Sequence, residues 1–447
     1  MTRLLYSVLM WLAQPLLRRK LARRARQEPG YLEAVEERFG YFDSAPLPAD
    51  GNTVWVHAVS LGETRAATLL VERLRQRLPG MRLLLTHGTA TGRAEGARLL
   101  QAGDIQTWQP WDTAAAVARF LEHFKPRIGI LLETEIWPNL VAACAQAGVP
   151  LVLANARLSE KSLHWASRLA WLARPAYRSL TAVWAQTQDD ALRLGSVGAN
   201  VQGVFGNVKF DATPDAGQLA QGRAWHDRAR RAVVMFASSR DGEEAALLRI
   251  LSRLPPDDPA KTLQWLIVPR HPQRFDDVAT LIEHYGFGVS RRSHWRDGPH
   301  AIDAAHGTLP TLWLGDTLGE MALYYALSDV ALLGGSFEPL GGQNLIEAAA
   351  CDCPVVMGPH TFNFAEAADL AHAAGAAYRV ADLSEAVGAA AALALHGEKL
   401  QAARRAAGVF SGAHQGAVER TLEAILSSLR GHPTSSSPSH PTSSSRA

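Results

Sequence analysis

At 447 residues, nearly half of them hydrophobic, the chain is long enough to bury two cores, and two domains are expected. A formal net charge of +2 is too small for a general nucleic-acid binder, so no nucleic-acid partner is expected. The three cysteines, Cys144, Cys351 and Cys353, are too few and too poorly spaced for a disulfide framework or a four-ligand zinc site; they fit a reducing cytosol, with Cys351 and Cys353 as small buried residues.

The chain begins with an apolar stretch, Leu4 to Leu17, about half the length needed to span a bilayer, which runs into RRKLARRAR at Arg18–Arg26. A signal peptide would place its cations before the apolar stretch and a small-residue cleavage site after it, and neither is found. A short anchor or an amphipathic helix on the cytoplasmic leaflet is favoured, with the basic cluster on anionic headgroups; a buried first helix with a solvated basic end is the alternative. Residues 1–30 are thus read as a membrane-associating segment.

Strand, loop and helix patterns then repeat. Apolar β-rich runs occur at Thr53–Val59, Met81–Leu85, Arg127–Leu132, Val149–Ala154 and Leu180–Ala185, with helical patterns such as Arg65–Leu78 and Asn139–Ala147 between some of them. A second series follows at Ala232–Ala237, Leu263–Val268, Thr311–Leu314, Val330–Leu333 and Pro354–Met357. The intervening Asp211–Arg230 is polar, helical at best, and reads as a linker. The pattern predicts an α/β protein of two doubly wound Rossmann-like domains facing a central cleft. The boundaries are placed at 31–215 and 216–430, and the Pro-Thr-Ser-Ser-Ser repeats of 431–447 read as a disordered tail.

Ligands of such sheets bind beyond the carboxyl ends of the strands, and polar clusters occupy those ends. In HAVSLGET (residues 57–64), Glu63 falls at a helix N-terminus, either as a proton acceptor or as a first-turn acid that only stabilises the helix. In ETEIWPN (133–139) two carboxylates sit close enough to raise each other's pKa, and helix capping would account for Glu135 better than for Glu133. GNVKFD (206–211) offers Lys209, a weak signal by itself. In the second series, Pro269 and Arg270 follow one strand and Leu318, Gly319 and Glu320 the next; Arg270 has the fork suited to a phosphate or carboxylate. Finally, Gly334–Phe364 reads as a glycine-rich turn opening a helix at Asn344, Leu345, Ile346 and Glu347, where bare backbone N–H groups would face a nucleotide phosphate. A tight turn that merely links strand to helix is the alternative.

From its apolar-basic start to about Ser428 the chain resembles the Kdo transferases of Gram-negative bacteria. The resemblance rests on HAVSLGET, ETEIWPN, LANARLS (153–159), GNVKFD, VPRHPQRF (268–275), GDTLGEM (315–321) and MGPHTFNF (357–364). It implies a GT-B glycosyltransferase that moves 3-deoxy-D-manno-octulosonic acid (Kdo) from CMP-Kdo onto a lipid A precursor at the cytoplasmic side of the inner membrane. The first domain would bind acceptor and the second donor. Carried over by motif, Glu63 would be the general base and Glu133 and Lys209 would stabilise the transition state. Pro269, Arg270, Leu318–Glu320 and Asn344–Glu347 would contact CMP. Gln343 departs from the pattern, standing where many relatives have His. Inversion at the anomeric carbon without metal or cofactor is implied, since fixed cations and helix dipoles suffice for a phosphomonoester leaving group. The alternatives are a GT-B transferase or epimerase using a UDP-sugar, separable by nucleotide-sugar binding, and an inactive membrane-docked scaffold, which the joint presence of Glu63, Glu133, Lys209 and Arg270 argues against.

Overall fold

A computed structural model describes residues 2–299 and 309–431. The chain forms two compact units: residues up to Asp211 together with those from Gln415 onward, and Ala212–His414. Each holds a seven-stranded sheet in which every pairing is parallel.

The first sheet contains β1 (Thr53–His57), β2 (Arg82–His87), β3 (Ile105–Trp108), β4 (Ile128–Leu132), β5 (Leu151–Ala156), β6 (Ala182–Ala185) and β7 (Val201–Val204). Their order is β3-β2-β1-β4-β5-β6-β7, so the sheet winds outward in both directions from the β1/β4 junction. The pleat sends Val54 and Val56 into one core with Ala67, Leu70 and Leu74, and Trp55 into the other with Phe120, Phe124 and Leu140. Both faces are therefore apolar, and the central strands read as continuous hydrophobic runs rather than as alternation.

The second sheet contains β8 (Val233–Ser239), β9 (Gln264–Pro269), β10 (Phe287–Arg291), β11 (Leu309–Leu314), β12 (Val330–Leu333), β13 (Val355–Met357) and β14 (Ala377–Arg379), in the order β10-β11-β9-β8-β12-β13-β14. Its reversal point is the β8/β12 junction. All ten expected strands are present; four more, β3, β7, β10 and β14, had no counterpart among the apolar runs.

Two boundaries differ from expectation. Asp211–Arg230 is not a free linker: Ala216–His226 is a helix of the second unit, with Trp225 buried and edge-on to Trp295. The second unit does not continue to residue 430. The last helix, Ala417–Gly431, returns to the first unit and packs Val418, Leu422, Ile425 and Leu429 into the core beside β1 and β2. Asp211 holds its start, one carboxylate oxygen accepting the Gly416 N–H and the other the Val418 N–H. The tail expected over 431–447 lies, from residue 432 on, outside the described residues.

The N-terminal segment forms two helices, Thr2–Leu12 and Gln14–Ala25, the second with Pro15 in its first turn. Leu4, Leu5, Val8, Leu9, Trp11, Leu12 and Leu16 are exposed, whereas Leu21 and Ala25 bury against Tyr31. The first helix is therefore not a buried core helix. No helix among the described residues is long and apolar enough to cross a membrane.

Candidate active site

Glu63 and Glu133 follow β1 and β4, the two strands that flank the reversal point of the first sheet, the place where open α/β sheets in general bind ligands. Glu63 lies in the first turn of the helix Leu61–Arg77, whose N-cap is Ser60. Its Oε1 accepts the Ser60 hydroxyl at 2.9 Å and its Oε2 the Val59 N–H at 2.8 Å, while Ser60 Oγ accepts the Glu63 N–H. The S-x-x-E spacing thus forms a reciprocal cap, and the helix-stabilising reading of Glu63 is correct as far as it goes. A simple cap would stay acidic. Here burial, reinforced by the neighbouring Glu133 carboxylate, pushes Glu63 up to about 7 against the opposing effect of those two hydrogen bonds.

Glu133 sits in the left-handed backbone region, φ 61°, which costs an ordinary residue about 1–3 kcal/mol. The conformation is pinned on both sides: its N–H donates to the Ala154 carbonyl and its carbonyl accepts the Arg157 N–H. The side chain thereby meets Lys209, whose Nζ lies 2.8 Å from Glu133 Oε1 with both groups mostly buried. Glu135 does not cap the following helix. Its carboxylate takes the Trp137 indole N–H at 2.8 Å, and burial raises its pKa despite that bond. Asp112 is the cap instead, accepting the Asn139 and Leu140 N–H groups.

Lys209 is set by a buried amide network that the sequence reading missed. Asn155, itself at φ 51°, accepts the Val208 N–H through Oδ1 at 3.1 Å; Gln186 donates to the Asn155 carbonyl and accepts from Asn207; Asn207 accepts the Lys209 N–H. Asn tolerates the left-handed region better than other non-glycine residues. The available signal was Asn155 within LANARLS, directly after an apolar strand.

In the second unit, Pro269 ends β9 and Arg270 follows it, its N–H bonded to the Ser239 carbonyl at 3.0 Å. Arg240, Arg270 and Arg274 crowd His271, whose pKa is lowered by burial and then by these three guanidinium groups. Burial raises the pKa of the Tyr325 hydroxyl, with Glu347 adding to the rise and Arg270 opposing it. The loops after β9 and β12 both meet the end of β8, where the Arg270 N–H bonds the Ser239 carbonyl and the Gly334 N–H the Ala237 carbonyl. Asn344 closes the turn before the short helix Ile346–Ala350, its Oδ1 accepting the Ile346 N–H and its Nδ2 donating to Glu347 Oε1; Leu345 and Ile346 are buried. After β11, Leu318 is strongly exposed and Gly319 has φ +78° with open space where a side chain would stand. Glu320 is engaged by Arg292 at 2.7 Å and by the Thr317 hydroxyl.

The expectation of bare amides in the glycine turn needs correction at Gly335. Its N–H is taken by both oxygens of the buried Glu243 carboxylate, at 2.9 and 2.8 Å, so a protein anion already occupies that donor. Gly334 is glycine because the turn crosses the end of β8 so closely that a Cβ would meet the Ser238 carbonyl oxygen at 2.4 Å. Part of the motif is thus backbone packing, as the tight-turn reading has it. Gln343 places its Nε2 over Gly335.

Residues 33–212 match the model of the 3-deoxy-D-manno-octulosonic-acid transferase (kdotransferase) family. Across 423 residues the chain is 45% identical to the 3-deoxy-D-manno-octulosonic acid transferase of Bordetella pertussis, covering 92% of this chain and 96% of that protein. The chain belongs to the Kdo transferase family. The Haemophilus influenzae 3-deoxy-D-manno-octulosonic acid transferase is 31% identical over 82% of this chain and 84% of its own. Among solved structures, the UDP-GlcNAc 2-epimerase of Neisseria meningitidis bound to UDP-GlcNAc superposes with a TM-score of 0.53 at 15% identity, covering 84% of this chain and 100% of the other. That likeness establishes the GT-B type of fold and nothing about substrate. As a Kdo transferase this chain is a glycosyltransferase, and the UDP-sugar reading is left with a likeness of fold alone.

Proposed function

We propose that the chain moves Kdo from CMP-Kdo onto the sugar headgroup of a lipid A precursor at the cytoplasmic face of the inner membrane, with inversion at the anomeric carbon. The observation that carries the reading is the pairing at the β1/β4 reversal point: a carboxyl group held near 7 beside a second carboxylate tied to a lysine. Glu63, half ionised near neutral pH, takes the proton of the acceptor hydroxyl as its oxygen attacks the anomeric carbon. The bond from that carbon to the phosphate oxygen breaks and CMP leaves with the electron pair. Glu133 faces the positive charge that develops on the sugar, and Lys209 holds the Kdo carboxylate or the departing phosphate. Arg270, with Asn344 and Glu347 on the neighbouring loop, binds CMP, and Leu318–Glu320 contribute from the loop after β11.

The decisive experiment incubates the protein with CMP-Kdo and a tetra-acylated lipid A precursor and reads product mass. A gain of Kdo residues on the lipid is expected. No gain, or equal transfer from a UDP-hexosamine, would overturn the proposal.

A further inference from the structure

Beyond the N-terminal helices, one further surface of the first unit is built like a docking face. The helices Glu160–Arg168 and Ala170–Arg178 follow β5 and leave Trp165 54%, Leu169 44% and Trp171 43% exposed. Two large aromatic groups left about half in water on neighbouring helices keep much of their apolar area hydrated and so gain little for the fold. The same two helices carry the exposed Lys161, Arg168, Arg174 and Arg178, against the single acid Glu160. Arg168 lies over the Trp165 ring at 5.7 Å. Tryptophan rimmed by Lys and Arg is the composition of a surface that sits at the headgroup level of an anionic bilayer, ring in the acyl boundary and cation on phosphate.

We infer that the hairpin Glu160–Arg178 is a second membrane-docking element, its Trp165 and Trp171 entering the same anionic leaflet as the N-terminal helix. Continuity between the two elements favours the bilayer over a protein partner. Arg3 of the first helix and Trp171 line one small cavity with Pro138 and Pro175, so the two elements adjoin. Each element is also tied to a loop of the candidate site. Ser7 donates to Asn139 Oδ1 at 2.9 Å, just beyond the Glu133–Trp137 loop, and Arg157, three residues before the hairpin, bonds the Glu133 carbonyl. Two attachment points fix the orientation of a rigid body on a surface where one would leave it free to swivel. The inference rests on the proposed lipid acceptor, because a headgroup embedded in the leaflet can meet Glu63 only if this unit is held with those loops toward the lipid.

The test compares the parent with Trp165→Ser/Trp171→Ser and with Arg168→Gln/Arg174→Gln, using flotation with mixed phosphatidylglycerol–phosphatidylcholine vesicles and with pure phosphatidylcholine. Both pairs are exposed, and circular dichroism confirms that each variant is folded. The tryptophan variant is expected to bind anionic vesicles about tenfold more weakly and the arginine variant to lose most of its preference for anionic over zwitterionic vesicles. Transfer to acceptor in vesicles should fall in parallel, while transfer to detergent-dispersed acceptor stays at the parent level. In the parent, brominated phosphatidylcholine should quench a fraction of tryptophan emission that disappears in the tryptophan variant. Unchanged vesicle binding in the tryptophan variant overturns the inference, and the proposed function survives it. An equal loss with detergent-dispersed acceptor assigns the tryptophans to the acceptor's acyl chains instead, and a change from dimer to monomer on sedimentation assigns them to a second copy of the chain; either overturns the inference. If the parent floats with neither vesicle, membrane attachment itself fails, and product mass in detergent still decides the transferase reading separately.

Discussion

Replacing Glu63 by Gln should move activity and stability in opposite directions. Burial and Glu133 raise this carboxyl from 4.5 to about 7. Between those values the folded protein retains a proton that the unfolded chain has lost, so stability falls as pH rises through this window and stays reduced above it. At about 1.4 kcal/mol per pH unit, the penalty above neutrality is at most roughly 3.5 kcal/mol. Glutamine carries no charge and escapes it; with its Oε1 on the Val59 N–H and its Nε2 donating to the Ser60 hydroxyl it keeps both partners, losing at most about 1 kcal/mol. Glu63→Gln should therefore be about 2 kcal/mol more stable than the parent at about pH 8, with no such gain at about pH 4, as read by urea unfolding. Its turnover should drop about a hundredfold or more with CMP-Kdo affinity nearly unchanged. In the parent, kcat/KM should rise with pH, about tenfold per unit, and level off near 7. A variant equally destabilised at both pH values would refute the electrostatic account, and near-parent turnover would remove Glu63 from the chemistry.

The other substitutions separate the two sites. Lys209→Met leaves the mostly buried Glu133 without its cation, and transfer should fall at least about a hundredfold; CMP affinity, measured by calorimetry, is retained if Lys209 holds the Kdo carboxylate and falls if it holds the departing phosphate. Arg270→Ala should weaken CMP binding by roughly 1.5–3 kcal/mol with the fold unchanged; equal affinity would place Arg270 outside the donor site. Asp211→Ala frees the Gly416 and Val418 amides and should cost about 1–2 kcal/mol in urea unfolding, with no loss if the last helix is held by its apolar face alone.

What was legible in the sequence follows from burial. β1, β4, β8, β9 and β12 lie between two apolar layers, so their residues are hydrophobic on both faces and stand out as runs. The four strands that did not stand out, β3, β7, β10 and β14, include the outermost strands of both sheets. Each has half-exposed or exposed positions, as in Val201–Val204, where no residue is fully buried. Such edges carry no continuous apolar signal. The last helix was assigned to the wrong unit for a related reason: its amphipathic pattern shows that one face is covered but not by which sheet, and the Asp211 cap that fixes the answer joins residues far apart in sequence.

The site shows the same division more sharply. Strand-end position singled out Glu63, Glu133 and Lys209 as candidates, and the family motifs gave them their expected roles. What makes those residues chemical was not legible, since it lies in backbone shape and in contacts across loops. Glu133 and Asn155 occupy left-handed conformations at the ends of adjacent strands, and nothing in a carboxylate's identity announces that. Each is held by its neighbour's loop: Glu133 through Ala154 and Arg157, Asn155 through Gln186 and Val208. Relaxing either residue to an ordinary strand conformation would redirect its side chain and release the turn that carries Lys209. The strain is therefore stored where the ion pair is made, and it is supported by amides whose only sequence signature is to be polar and buried. A loop free of that strain would be more stable and would point its carboxylate elsewhere, which is the physical reason such positions escape propensity and periodicity alike.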